Sequence, residues 1–224
     1  MTRSRWDDVD AAGGRAWPDE AGWAEGLGGG CDEDEYGREE DIPESGRDWR
    51  RPQGIFVLAP LDGAAAEQIA AIQRRYDPKL LAMGTPHVTL VGSSGVGPVL
   101  PGTTEDELRA AIEPVARETE PLVLPFGRPS RFMQTSIVSL PLDPHGALRE
   151  LFERLRASGL RFGPVRFAFT PHATLSYFPT LDRARERALL AERVTAPAVI
   201  DRLELSLTHD PQPPKRLFEV RLGE

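Results

Sequence analysis

Two short motifs carry the residues of this sequence that are best suited to chemistry. His87 and Thr89 belong to one motif and His172 and Thr174 to the other, and both read Pro-His-x-Thr-Leu. Side chains at positions i and i+2 of a β-strand point to the same face. If both motifs lie on strands, each histidine is predicted to project together with its threonine.

These residue types favour chemistry at a phosphodiester. Imidazole has an unperturbed pKa near neutrality, so one histidine can act as a base while the other, protonated, acts as an acid. Threonine hydroxyls can donate hydrogen bonds to anionic oxygens. Two such donors and an imidazolium suit the charge that develops on a phosphoryl group in its transition state. An acid and a base on opposite sides also suit the attacking and leaving oxygens of an in-line displacement.

A single His-x-Thr motif is weak evidence, because a histidine on a strand can simply be a hydrogen-bonded core residue. Here the motif occurs twice, in a chain with only four histidines. Both copies also fall at equivalent points of a repeated pattern. This repetition favours a catalytic interpretation of His87, Thr89, His172 and Thr174.

The repeated pattern is strand, helix, strand, helix. Branched and aromatic residues predict strands over 54–60, 86–91, 136–142 and 171–178. Helical spacing of apolar residues predicts helices after Asp62, after a Thr104 capping box and after an Asp143 cap followed by proline. Two further strands are predicted over 199–207 and 217–222.

The repeat predicts an α+β fold with two lobes related by a pseudo-two-fold axis. We expect mostly antiparallel sheets that face a central cleft, with helices outside. In that arrangement the two His-Thr pairs converge from opposite sides of the cleft.

Composition divides the chain into two domains. Residues 1–50 contain fifteen acidic and six basic residues, nine glycines and all four tryptophans. This acidic tail is too poor in aliphatic residues to build a core, so we predict that it is disordered. Its tryptophans make it a candidate segment for binding a protein partner or for docking on residues 51–224, and a solvated tail without a specific role is the alternative. Residues 51–224 are nearly neutral, which disfavours a protein that tracks long polyanions.

The composition also limits the setting of the protein. The 224 residues include one cysteine, Cys31, and no apolar run long enough to span a bilayer. The first residues lack the apolar stretch of a secretory signal. We therefore expect a cytoplasmic protein that makes no membrane contact, and we expect a monomer.

The paired motifs of residues 51–224 resemble those of the 2H phosphoesterases, a family that includes 2'-5' RNA ligase-like proteins and RNA 2',3'-cyclic phosphodiesterases. The resemblance implies a bilobal α+β fold, no metal or other cofactor, and hydrolysis or reversible ligation of 2'-linked or cyclic phosphates. It implies that His87 and His172 are the general acid and base and that Thr89 and Thr174 hold phosphate oxygens. The expected substrate is a nucleotide or a short RNA.

Other interpretations stay open at this stage. Tyr177 follows the second motif and is a candidate for stacking on a base, with core packing as the alternative. The same fold could also serve as a non-catalytic module that binds nucleotides or RNA ends and recruits a partner through the acidic tail. A metal hydrolase is disfavoured, because no carboxylate motif accompanies the histidines and threonine is a poor zinc ligand.

Overall fold

The structure is a computed structural model that describes residues 54–132, 135–143, 145–165, 167–178, 181–209 and 212–224. The acidic tail predicted over residues 1–50 lies outside the described residues. Its predicted disorder and its predicted partner contact therefore stay predictions.

Strands and helices alternate along the described chain. The strands are β1 (Gly54–Pro60), β2 (His87–Val91), β3 (Leu122–Leu124), β4 (Ser130–Arg131), β5 (Val138–Pro141), β6 (His172–Ser176), β7 (Ala198–Ile200), β8 (Arg202–His209) and β9 (Gln212–Arg221). The helices are α1 (Gly63–Tyr76), α2 (Pro78–Met83), α3 (Glu105–Arg117), α4 (Ala147–Arg156) and α5 (Arg183–Ala191). Both motifs lie at the start of strands, as predicted. None of these helices is long and apolar enough to cross a membrane.

Seven strands form one sheet in the order β4-β5-β6-β2-β1-β8-β9, and β3 pairs with β7 in a separate small sheet. All the pairings are antiparallel, so the predicted α+β class with mostly antiparallel strands is confirmed. The predicted pair of facing sheets is not what the structure shows. β2 and β6 instead pair with each other, with Val88 opposite Ala173. This pairing joins the two halves because it satisfies backbone groups that two separate sheets would leave at their edges.

The repeat seen in the sequence reappears in the strand register. β1 precedes α1 and pairs with β2, and β5 precedes α4 and pairs with β6. His87 lies opposite Pro60 in the first pair, and His172 lies opposite Pro141 in the second. Both pairings also contain a register shift at the other end of the strand. The two motifs therefore occupy equivalent places in two matching strand pairs.

Burial alternates along the two central strands and separates a core face from an accessible face. Val88 and Leu90 of β2 and Ala173 and Leu175 of β6 are fully buried, whereas the histidines and threonines between them are partly exposed. The helices contribute apolar side chains to the same core cluster, among them Ile69, Ile72, Leu108, Ile112, Leu148, Leu151 and Leu155. The core thus fixes the strands from one side and leaves the motif side chains accessible on the other.

The helix starts follow the sequence signals only in part. Thr104 forms the predicted capping box at the start of α3. Asp62 is the N-cap residue of α1, but its side chain makes no cap bond and pairs with Arg202 instead. α4 begins later than the Asp143 signal predicts, although an Asp143 carboxyl oxygen still accepts a hydrogen bond from the Leu148 N–H at 2.8 Å.

Gly92 directly follows β2, and a substitution there tests whether the chain needs glycine at this position. Its φ is 137°, and a Cβ built there would lie 2.5 Å from the ring of Phe56. We expect Gly92→Ala to lower the free energy of unfolding by about 1–3 kcal/mol, because it adds both backbone strain and overpacking. Urea unfolding measures the loss. Gly102→Ala is the matched control, since a Cβ there meets nothing within 4 Å; an equal loss in both variants would contradict the explanation.

Candidate active site

The four predicted site residues lie together on the accessible face of the sheet. The residues between them are buried and pair with each other, so the register places His87 opposite Thr174 and Thr89 opposite His172. Side chains directly opposite on antiparallel strands have Cβ atoms about 5 Å apart, and diagonal neighbours are about 7–8 Å apart. The structure therefore brings the two imidazoles and two hydroxyls around one small space. They stand side by side on paired strands rather than across a cleft between two sheets.

Both imidazole rings are held in the same way. The Nδ1 atom of His87 lies 2.9 Å from the carbonyl oxygen of Thr85, and that of His172 lies 2.6 Å from the carbonyl oxygen of Thr170. A carbonyl only accepts, so Nδ1 carries the hydrogen and donates it. In each neutral ring Nε2 is therefore the nitrogen that can accept a proton.

Thr85 and Thr170 contact the two candidate histidines and were not predicted from the sequence. Each lies two residues before its histidine, so the repeated unit is Thr-Pro-His-x-Thr-Leu in both copies. Their contribution is a backbone carbonyl, which side-chain chemistry does not reveal. The shared threonine was the signal that could have pointed to them.

The environment disfavours positive charge on both rings. Burial lowers the pKa of His87 and of His172, and the hydrogen bonds to the carbonyls oppose this effect. The carboxylate of Glu204 also opposes it at His87. The charge of His87 lowers the pKa of His172 further. The pair is thus set to hold one proton more readily than two.

A pocket of about 430 Å³ opens over the four side chains. Its walls are mainly apolar and include Phe56, Leu80, Met83, Phe132, Phe167 and Tyr177. The Phe132 ring lies against the imidazole of His172, with 4.4 Å between the ring centres. Tyr177 is 54% exposed at the rim, so the predicted contact residue lines the pocket rather than the core. This apolar enclosure is the cause of the lowered pKa values.

Within the described ranges, no three His, Cys, Asp or Glu side chains gather into a group that could hold a metal ion. The polar side chains that line the pocket include the two imidazoles, several hydroxyls and the amide of Gln73. The site as built is therefore suited to proton transfer and to hydrogen bonding with an anion.

Comparisons with known proteins concern the sequence family and the fold. A sequence model of the 2'-5' RNA ligase superfamily matches residues 60–212. The chain matches no curated protein. It is similar in fold to a crystal structure of a phosphoesterase, with 18% identity, a TM-score of 0.50, and coverage of 78% of this chain and 100% of that chain. It is also similar to the protein TT0787 of Thermus thermophilus, with 18% identity, a TM-score of 0.53, and coverage of 75% and 97%.

A third similar structure is that of E. coli LigT complexed with 3'-AMP. The two sequences are 19% identical, the TM-score is 0.49, and the match covers 77% of this chain and 99% of that chain. The superfamily match extends over more than half of the 224 residues. The chain therefore belongs to the 2'-5' RNA ligase superfamily of 2H phosphoesterases, as the paired motifs predict.

The lowered pKa values of His87 and His172 make the stability of the protein depend on pH. In the unfolded chain both rings take up protons near their ordinary pKa of about 6.5, whereas in the folded chain they do so only at lower pH. Stability contributed by the neutral rings is therefore present above about pH 6.5 and is lost as the pH falls through the folded pKa values.

We expect a His87→Gln/His172→Gln variant to lose less stability than wild type between about pH 7 and pH 5. Urea unfolding across this range is the measurement. His145 and His209 remain in both proteins, so equal pH slopes would contradict the lowered pKa values.

Proposed function

We propose that the chain is a metal-independent phosphodiesterase acting on 2',3'-cyclic phosphates or 2'-5' phosphodiester bonds of RNA ends or small nucleotides. The observation that supports it most is the site itself. Two imidazoles and two hydroxyls share one face of adjacent strands, and each ring is fixed through Nδ1. Membership of the superfamily supports the same class of reaction.

The proposed hydrolysis of a 2',3'-cyclic phosphate uses both histidines once. A neutral imidazole takes a proton from water through Nε2 while the water oxygen bonds to phosphorus. The other imidazole, protonated, gives its proton to the ribose oxygen whose bond to phosphorus breaks. The products are a phosphate monoester and a free ribose hydroxyl. In the corresponding ligation the 5'-hydroxyl of a second RNA end takes the place of water. One imidazole accepts its proton as its oxygen bonds to phosphorus, and the other imidazole protonates the ribose oxygen that leaves.

Thr89 and Thr174 are the proposed donors to the non-bridging phosphate oxygens. Each lies opposite the histidine of the other motif, so each hydroxyl stands beside a proton-transfer group. Donors fixed in advance toward the oxygens where charge develops stabilise the transition state. The rigidity of the central strands supplies that fixed geometry.

We infer that His87 is the acid and His172 the base in the hydrolytic direction. Leu58 of β1 pairs with Thr89 on one side and with Glu204 of β8 on the other, so Glu204 shares the face of the motifs. Its carboxylate favours the protonated form of His87. The positive charge on His87 then favours the neutral form of His172. Both charge effects favour His87 as the protonated member of the pair.

The pocket walls support a nucleotide as the substrate. Tyr177 and Phe56 offer aromatic surface in a space of about 430 Å³ that opens directly above the four polar side chains. A base can stack on an aromatic ring with little regard for its sequence. We propose that Tyr177, the more exposed ring, contacts the base while the phosphate lies over the histidines.

Turnover of 2',3'-cyclic nucleotides and 2'-5'-linked dinucleotides in EDTA tests the proposal directly. Wild type is expected to be active, and His87→Ala and His172→Ala are each expected to lower kcat by about 10²–10⁴-fold through loss of a proton-transfer group. His145→Ala is the matched control, because this histidine is exposed and does not line the pocket. Loss of wild-type activity in EDTA would contradict a metal-independent reaction. Binding of these compounds without turnover would favour the non-catalytic binding module.

The pH dependence of kcat/KM gives a second view of the same reaction. One histidine must be neutral and the other charged, so the profile is expected to be bell-shaped. Both pKa values are lowered in the free enzyme, which places the maximum below about pH 6.5. A flat profile would contradict the mechanism.

Substrates with an activated leaving group distinguish the two histidines. A p-nitrophenyl phosphodiester of a nucleoside releases a stable anion, so its cleavage needs a base but no acid. We expect His87→Ala to recover most of the wild-type rate on this substrate and His172→Ala to stay inactive. Steady-state kcat on the aryl ester and on a 2',3'-cyclic nucleotide is the measurement. Recovery by His172→Ala instead would reverse the assignment of acid and base.

A further inference from the structure

Two buried polar side chains at the end of α1 hold the strand that carries the second motif. Gln73 is 4% exposed, and its Nε2 donates a hydrogen bond to the carbonyl of Thr174 at 2.8 Å. Asp77, one helical turn later, is 1% exposed and accepts hydrogen bonds from residues at and after the end of β6. Both side chains come from the first copy of the repeat and both contact the second.

The carboxyl of Asp77 accepts from four neutral donors. Oδ2 accepts from the N–H of Tyr177 at 2.7 Å, from the N–H of Phe178 at 3.0 Å and from the hydroxyl of Ser176 at 3.3 Å. Oδ1 accepts from the N–H of Leu80 at 3.1 Å. Removing a carboxyl from water is costly unless such bonds replace its hydration. This arrangement in turn fixes the positions of all four donors.

The two oxygens of this carboxyl connect two walls of the pocket. Leu80 lies on α2 and lines the pocket together with Met83, whereas Tyr177 forms part of the rim. α2 has only six residues, too few for a helix to be stable by itself. The N-cap hydrogen bond from the Leu80 N–H to Asp77 therefore determines the position of α2 relative to Tyr177.

We propose that Asp77 is a positioning residue that presets the gap between Tyr177 and α2, so that a flat nucleobase enters a pocket already formed. The proposal rests on the phosphodiesterase function proposed above and adds the feature that selects a nucleotide over other phosphodiesters. A rim that is ordered before binding avoids the entropy cost of ordering it on binding. Loss of Asp77 therefore weakens base binding. Gln73 still holds β6 at the carbonyl of Thr174, so proton transfer at the histidines stays intact.

Two substitutions at Asp77 test the proposal on a 2',3'-cyclic nucleotide. Asp77→Asn keeps the shape of the side chain and replaces one acceptor by a donor, and Asp77→Ala removes both oxygens. We expect either variant to raise KM about tenfold and to change kcat less than about threefold, since base stacking contributes mainly to binding. Thr104→Ala is the matched control, because it removes the cap of α3, which does not line the pocket. It is expected to leave KM unchanged, and an equal rise in KM in the control would overturn the proposal.

Combination with Tyr177→Leu shows whether Asp77 acts through the tyrosine. If it does, Asp77→Asn raises KM less than about twofold in the Tyr177→Leu background, because the stacking surface is already absent. A full and additive increase overturns the proposal. A merely structural Asp77 would lower the folded fraction, and hence the apparent kcat, without this dependence on Tyr177.

Hydrogen exchange provides a readout that needs no turnover. The amides of Tyr177 and Phe178 donate to Asp77, so they are expected to exchange at least about tenfold faster in Asp77→Asn and at the wild-type rate in Thr104→Ala. Unchanged exchange in Asp77→Asn overturns the proposal.

Calorimetric binding of adenosine 3'-monophosphate separates this inference from the function on which it rests. If wild type hydrolyses no cyclic nucleotide, the phosphodiesterase proposal fails by itself. Weaker binding of this nucleotide by Asp77→Asn then still supports the positioning role, and unchanged binding overturns it.

Discussion

Val88 and Ala173 face each other where β2 pairs with β6, and the geometry of the site follows from this register. Side chains alternate between the faces of a strand, so a slip of one residue in either strand would turn its histidine and threonine into the core. The burial of the residues between them makes that slip costly, because it would bring polar side chains into a close-packed interior. The buried side chains on one face of β2 and β6 thus determine where the histidines and threonines lie on the other face.

The same two strands also determine how the imidazoles are oriented. The carbonyls of Thr85 and Thr170 take the Nδ1 hydrogen of each ring, and both belong to the segments that lead into the strands. Ring orientation is therefore controlled by backbone, which moves less than side chains do. The surrounding apolar walls lower the pKa of both rings and strengthen every electrostatic interaction among the four groups. The proposed phosphate substrate would therefore meet donors that need little rearrangement.

Support for the site comes from outside the sheet as well. The end of α1 reaches β6 through Gln73 and Asp77, although α1 connects β1 to β2. The two copies of the repeat therefore do not stand as independent units. Each needs the other for a paired strand edge, and the second also needs polar contacts supplied by the first. Such mutual dependence favours cooperative folding of the whole site.

The sequence alone determined the features that depend on local pattern. Alternation around the motifs and the spacing of Ile69, Ile72 and Tyr76 identified strands and a helix, because these periodicities follow from backbone geometry. The repeated motif identified the four side chains that the structure brings together. It also indicated the superfamily to which the chain belongs. The roles of these residues stay predictions, as does the acidic tail.

Only the tertiary structure decided how the two copies meet. The same strands are compatible with two facing sheets or with one continuous sheet, because strand pairing depends on contacts between residues far apart in the chain. The carbonyl partners of the histidines are close in sequence, but a backbone contact cannot be read from side-chain types. The position of Glu204 two strands away was hidden because it depends on such long-range pairing. So was the link from Asp77 to Tyr177, which joins residues 100 positions apart. Local sequence specifies which groups a strand presents, and long-range pairing specifies which of them become neighbours.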